Sequence, residues 1–122
     1  MSVSSDVVAH ARPHAAGFQD LPPAVAARNL GVFRVIDVRE PSEYTGPLGH
    51  VPGAELLPLG AVPQRAHEVA SEARPLLVVC RSGGRSAHAA AMLARAGARE
   101  VFNLDGGMLA WSGLSLPVEH GR

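Results

Sequence analysis

The chain has 122 residues, of which 47% are hydrophobic, enough for one domain with a real core and too apolar for a disordered segment. Eleven basic residues, all arginine, balance eleven aspartates and glutamates, so the basic excess of a typical nucleic-acid binder is missing and no nucleic-acid partner is expected. No apolar run approaches the roughly 20 residues that span a bilayer, so no membrane association is expected.

The opening stretch, MSVSSDVVAHARPHAAGF, has neither a basic start nor a sustained apolar core, so it does not read as a secretory signal and the cytoplasm is the default compartment. Its periodic signal is weak. Residues 1–17 are expected to be a mobile leader and residues 18–122 a single domain. His10 and His14 have the i, i+4 spacing of metal ligands on a helix but lack an acidic or cysteine partner, so they read as a solvated pair.

Asp20, Pro22 and Pro23 suggest a helix entry, with Asp20 as N-cap, running through Ala24–Asn29 to a stop near Gly31. Arg34–Val38 is β-branched and mostly apolar, as a buried parallel strand requires. A polar Gly/Pro-rich stretch from Glu40 to Gly53 follows, then a short strand over Ala54–Leu57 and a helix over Val62–Ala73. Leu76–Val79 is the strongest buried-strand signal and delivers Cys80 at its C-terminal end. Ser86–Ala96 reads as an amphipathic helix with Ala89, Met92, Leu93 and Ala96 on one face, ended by Gly97. Val101–Leu104 is a further strand. Asp105-Gly106-Gly107 suits a tight turn into a short helix over Gly107–Trp111, where Met108, Leu109 and Trp111 are expected in the core. His67 and His88 fall on exposed helix faces. Strands alternating with helices imply an α/β sandwich with a mainly parallel sheet, in which ligands bind beyond the carboxyl ends of the strands. Cys80 falls there.

The single cysteine excludes an intramolecular disulfide, so Cys80 is either a packed apolar residue or a reactive thiol. Its neighbours decide between them. The loop Cys80-Arg81-Ser82-Gly83-Gly84-Arg85-Ser86 leaves a strand end, carries two glycines that let backbone N–H groups turn inward, and runs into a helix N-terminus. Arg81 and Arg85 add two cations, and Ser82 and Ser86 add hydroxyl donors. An ordinary thiol is only about 3% ionised at pH 7. Surroundings of this kind lower cysteine pKa values by roughly two units, enough to make the thiolate the main form.

These residues carry a family resemblance. Cys80–Ser86 resembles the active-site loop of the rhodanese family. Val35–Arg39 with Glu40, Glu43 and Tyr44 is similar to the family's first strand and its acidic follow-on. Gly49-His50-Val51-Pro52-Gly53-Ala54 and Asn103-Leu104-Asp105-Gly106-Gly107 with Trp111 and Pro117 resemble two further motifs, in the expected order. The resemblance spans roughly residues 18–118. It implies a rhodanese-like three-layer sandwich, a mainly parallel sheet flanked by helices.

The implied activity is sulfur transfer: Cys80 takes sulfur from a donor such as thiosulfate as a persulfide, then passes it to cyanide, a thiol or a protein cysteine. Arg81 and Arg85 would hold the donor's oxyanions, with Ser82, Gly83, Gly84 and Ser86 completing the cradle. A small-molecule donor and acceptor, a sulfur-accepting protein partner, no cofactor and no metal are the corresponding expectations. Asp37, Arg39 and His50 are expected to support the pocket, the first two by anchoring loops through hydrogen bonds or an ion pair, and His50 by bracing a turn. The linker Tyr44–Leu48 is slightly longer than the family's commonest version, and the loop lacks a lysine.

Two alternatives stand beside this reading. A phosphatase or arsenate reductase of the related type carries five residues between cysteine and arginine, whereas Cys80 and Arg85 enclose four. Arsenate reduction also commonly needs a second thiol. A non-catalytic interaction module would usually have lost the cysteine or the cations; between the two lies a partner-specific sulfur carrier that passes sulfur to one protein and is a poor enzyme with small acceptors.

Overall fold

The computed structural model describes residues 3–121. Six helices and six strands alternate along it: α1 (Ser5–His10), β1 (Arg12–Pro13), β2 (Gln19–Leu21), α2 (Pro23–Arg28), β3 (Arg34–Asp37), α3 (Pro41–Tyr44), β4 (Glu55–Leu56), α4 (Val62–Ala70), β5 (Leu76–Val79), α5 (Gly84–Arg95), β6 (Val101–Leu104) and α6 (Gly107–Gly113). The sheet order is β1-β2-β6-β5-β3-β4. Only the β1–β2 pair is antiparallel, and the other four pairings are parallel.

The apolar runs of β3, β5 and β6 occupy the middle of this sheet because both of its faces are covered. Alternate side chains go to opposite faces. Val35, Leu77, Val79, Phe102 and Leu104 pack with Val7, Val25, Met108 and Trp111 from α1, α2 and α6. Ile36, Val38, Leu76, Val78 and Val101 pack with Val62, Val69, Ala89 and Leu93 from α4 and α5. The result is the expected three-layer α/β sandwich. Each fully buried Leu or Val contributes about 1.5–3 kcal/mol, so the four residues of β5, all buried, anchor the strand that presents Cys80.

Several local expectations change under tertiary packing. The described part of the expected leader carries α1 and β1. Val7 is fully buried, and Asp6 accepts bonds from Arg28 at 3.0 and 3.1 Å and from Asn29 at 2.9 Å. A single buried valine is too little to register as periodicity, so this contact is invisible locally. Asp20 is not a helix cap: it lies in β2, and Pro22 caps α2. The stretch Glu40–Gly53 contains α3, started by Pro41 and supported by the Glu43 carboxylate, which accepts the Glu40 N–H at 3.0 Å. α5 begins at Gly84 rather than Ser86, and α4 ends at Ala70. In α6, Met108 and Trp111 are buried, but Leu109 is 41% exposed, because it lies on the side of the helix turned away from the sheet.

No helix among the described residues is long and apolar enough to cross a membrane. Among them, no three His, Cys, Asp or Glu side chains are placed to share a metal ion. His10 and His14 make separate contacts: His10 Nδ1–H donates to the Asp6 carbonyl at 2.8 Å, and His14 stacks on Phe18.

Candidate active site

Parallel pairing of β3, β5 and β6 brings their carboxyl ends to one edge of the sheet, and Cys80 leaves the middle strand there. The chain then turns sharply. Gly83 adopts φ +108° and caps the N-terminus of α5, a left-handed conformation that costs any other residue about 1–2 kcal/mol. This aims its N–H at the sulfur, at 3.0 Å from Cys80 Sγ. Ser86, in the first turn of α5 and fully buried, places Oγ 3.2 Å from the same sulfur.

Cys80 is itself completely shielded from solvent. Burial works to raise its pKa, but the Ser86 hydroxyl and the backbone N–H groups of Ser86, Gly83 and Ser82 together outweigh it, and the thiol is pulled below its ordinary value. A sulfur held this way favours its anion.

The two loop cations are placed differently. Arg81 is exposed and lines a hollow of about 400 Å³ with Arg39, Ser42, Glu43, Pro47 and Leu48. Arg85 makes a two-pronged ion pair with Glu43, Nη1 to Oε1 at 2.7 Å and Nη2 to Oε2 at 2.8 Å. That pair holds the Glu43 carboxyl down at about 2, against burial. In the sequence Glu43 stands only as part of the acidic stretch after the first strand; 42 positions separate it from Arg85. Ser82 and Gly84 are exposed on the loop.

Asp37, Arg39 and His50 sit behind this face. Asp37 and Arg39 form a buried ion pair, with Nε to Oδ1 at 3.0 Å and Nη2 to Oδ2 at 2.8 Å. Arg39 also donates to the carbonyls of Glu43 at 3.2 Å and Gly49 at 2.7 Å, so four of its five N–H groups are engaged in tying β3 to α3 and the following turn. His50 stacks on Tyr44 with ring centroids 3.6 Å apart. Its Nδ1 lies 2.8 Å from the Tyr44 carbonyl, which only accepts, so Nδ1 carries the proton. Its backbone exchanges bonds of 2.8 and 2.9 Å with Glu119.

Two further polar residues join the site from β2 and β6. Asn103 lies in register with Val78 on one side and Asp20 on the other, which puts all three on the face covered by α5. Its Oδ1 is 2.5 Å from Ser86 Oγ, and its Nδ2 is 2.9 Å from Asp20 Oδ1. The only sequence signal for this contact is an amide inside an apolar strand, Val101–Leu104. From the other side of the loop, the N-terminus of α6 donates Met108 N–H to the Cys80 carbonyl at 2.9 Å and Leu109 N–H to the Arg81 carbonyl at 3.0 Å.

Comparison with known proteins places this geometry in context. The family described as the rhodanese-like domain matches residues 22–114. The chain is 40% identical over 80 residues to the uncharacterised Bacillus subtilis protein YqhL, a match spanning 66% of this chain and 61% of that protein. It is 36% identical over 96 residues to the thiosulfate sulfurtransferase GlpE of Stutzerimonas stutzeri, covering 77% of this chain and 84% of the relative. Among solved structures, a rhodanese-related protein from Thermoplasma volcanium superimposes with a TM-score of 0.75 at 25% identity, covering 84% of this chain and 98% of the other.

Proposed function

The chain belongs to the rhodanese-like domain family, and from that premise we propose that it transfers sulfane sulfur through a persulfide on Cys80. In the first step the Cys80 thiolate attacks the outer sulfur of thiosulfate. A bond forms between the two sulfurs, the sulfur–sulfur bond of the donor breaks, and sulfite leaves with the electron pair. In the second step an acceptor attacks the outer sulfur of the persulfide, and the Cys80 thiolate departs. Cyanide becomes thiocyanate, and a thiol becomes a new persulfide. This is covalent nucleophilic catalysis with ping-pong kinetics.

The observation that carries this reading is the donor set on Cys80 Sγ: Gly83 N–H at 3.0 Å and Ser86 Oγ at 3.2 Å, at a strand end that opens into a helix. These groups favour charge on sulfur. Arg81, exposed at the hollow beside the loop, is the cation best placed to meet an anionic donor, and Arg85 joins it once Glu43 is displaced. The four residues between Cys80 and Arg85 and the absence of a second thiol argue against phosphate or arsenate chemistry. A single thiol of this kind works in a reducing compartment, which favours the cytoplasm.

A second reading concerns the donor. Cys80 is wholly shielded and Arg85 is already paired, which favours a protein partner that opens the loop as it delivers or takes sulfur.

Intact mass after incubation with thiosulfate tests the proposal. The wild type gains one sulfur atom, removable by cyanide or a thiol, and Cys80→Ser gains none. A folded wild-type protein with a free thiol and no gain would exclude thiosulfate as donor and leave the partner-dependent reading.

A further inference from the structure

Ser86 has one hydroxyl hydrogen and three acceptors around it. Asn103 Oδ1 is at 2.5 Å, Cys80 Sγ at 3.2 Å and the Gly83 carbonyl at 3.3 Å. The orientation of the Asn103 amide is settled by its other contacts. Its Nδ2 faces Asp20 Oδ1 at 2.9 Å and the Gly83 carbonyl at 3.3 Å, and both of these accept. Oδ1 therefore faces Ser86, and an amide oxygen only accepts. The Gly83 carbonyl is the most distant of the three and already accepts from Ala87 N–H at 3.1 Å and Asn103 Nδ2 at 3.3 Å, so the hydroxyl hydrogen goes to Asn103 or to the sulfur, but not to both.

The protonation state of Cys80 decides which. A thiol donates its S–H to Ser86 Oγ, and Ser86 donates onward to Asn103, so every group is satisfied. A thiolate has no hydrogen to give. Ser86 then turns to the sulfur, and Asn103 Oδ1, in a residue that is 4% exposed, loses its donor. A buried acceptor without a partner carries a penalty, and here the penalty falls on the bare thiolate alone. Once sulfur is loaded, the negative charge moves to the outer sulfur, Sγ becomes a weak acceptor, and the hydroxyl hydrogen returns to Asn103.

We propose that Asn103, oriented by Asp20, is a positioning residue that competes with Cys80 for the Ser86 hydroxyl hydrogen. The network restrains ionisation of the empty enzyme and favours the persulfide over the bare thiolate. Its functional meaning rests on Cys80 being the sulfur carrier; its effect on the thiol does not. The charged groups around the sulfur are Arg81 in the loop, Arg85 on α5 paired with Glu43 on α3, the Asp37–Arg39 pair at the end of β3, and Asp20 on β2. Substitution of Asn103 removes none of these charges; it takes from Asp20 only the Nδ2 donor at 2.9 Å.

The test is a pH titration of thiolate absorbance in the ultraviolet. The chain holds one cysteine, so the signal comes from one thiol, and Cys80→Ser supplies the blank. Four proteins are compared: wild type, Asn103→Leu, Ser86→Ala and the double variant. Asn103→Leu is expected to lower the midpoint by about one unit, the size of one hydrogen bond exchanged at a charged group. Ser86→Ala is expected to raise it. In the Ser86→Ala background, Asn103→Leu is expected to have no effect, because the shared hydrogen is gone. An unchanged or raised midpoint in Asn103→Leu would overturn the proposal, as would an equal shift with and without Ser86. Asn103→Ala, which adds no bulk, reads the same difference should the leucine disturb the fold. Failure of sulfur loading in the mass experiment would exclude thiosulfate as the donor and leave this titration intact.

Discussion

Glu43 on α3 grips Arg85 on α5 through two bonds, of 2.7 and 2.8 Å. The carboxylate occupies the fork in which a planar guanidinium would otherwise receive an oxyanion. On the proposed function, an anionic donor competes with it. Glu43→Gln is therefore expected to lower the apparent KM for thiosulfate by about threefold or more, with kcat little changed, because it removes a ground-state competitor. Arg85→Ala is expected to raise KM. Steady-state kinetics with thiosulfate and cyanide reads both. A rise in KM for Glu43→Gln would mean that the carboxylate presents Arg85 to the donor and does not mask it.

The same pair makes stability depend on acid. Arg85 lowers the Glu43 carboxyl from 4.5 to about 2, so the folded state holds the proton less tightly than the unfolded one. The contribution is complete above about 4.5 and is lost as pH falls through about 2. Both side chains are partly exposed, at 36% and 27%, which limits it to about 0.5–1 kcal/mol. Urea unfolding of wild type and Glu43→Gln is expected to differ by that amount near neutral pH and to converge on acidification across this window. A constant gap would place the effect elsewhere, most directly in the Glu40 N–H bond at the start of α3.

Arg39 tests the structural half of the site. Asp37 is fully buried and Arg39 is 1% exposed, so Arg39→Met leaves a buried carboxylate without its partner. A loss of about 3–5 kcal/mol is expected, read as a large drop in thermal midpoint. Adding Asp37→Leu should recover part of that loss, since it removes the stranded charge. A mild effect of Arg39→Met alone would show that water or another group reaches Asp37.

Gly107 packs the start of α6 against the backbone of Cys80 and Arg81. Its φ is +58°, and a Cβ there would lie 2.5 Å from the Cys80 carbonyl oxygen and 2.6 Å from the carbonyl carbon and oxygen of Arg81. All three are backbone atoms and cannot yield without moving the loop. Gly107→Ala is expected to cost about 2 kcal/mol or more in stability and to slow persulfide formation as well, because it pushes on the carbonyls that the Met108 and Leu109 N–H groups hold. Denaturant unfolding combined with the rate of sulfur gain checks both. Full activity in a folded Gly107→Ala protein would show that the loop tolerates the displacement.

The extent to which the chain alone disclosed its fold follows from where each signal resides. Leu76–Val79 is buried on both faces and reads as a strand without any neighbour, and the structure has the same four residues in β5. The glycine pair after Cys80 marked the turn, and Gly83 does adopt the left-handed backbone there. The helix starts were less legible. Asp20 has the chemistry of a cap and the prolines after it suit a first turn, yet it pairs in register with Asn103 in the sheet, because a three-residue strand is too short to leave a periodic trace.

The α/β alternation, the glycine-containing loop from Cys80 to Ser86 and the family resemblance are legible in the sequence, since each depends on residues within a turn or a strand of one another. Tertiary structure decided how the loop is wired. It paired Arg85 with a carboxylate 42 residues away and linked Asn103 to Asp20 across 83 residues. It also buried Val7 from a segment with no periodic signal. The physical reason is the strand order β2-β6-β5-β3, which sets side by side stretches that are far apart along the chain. Hydrogen bonds and ion pairs depend on that spatial adjacency, and hydrophobic patterning carries no record of which polar side chains it will bring within 3 Å.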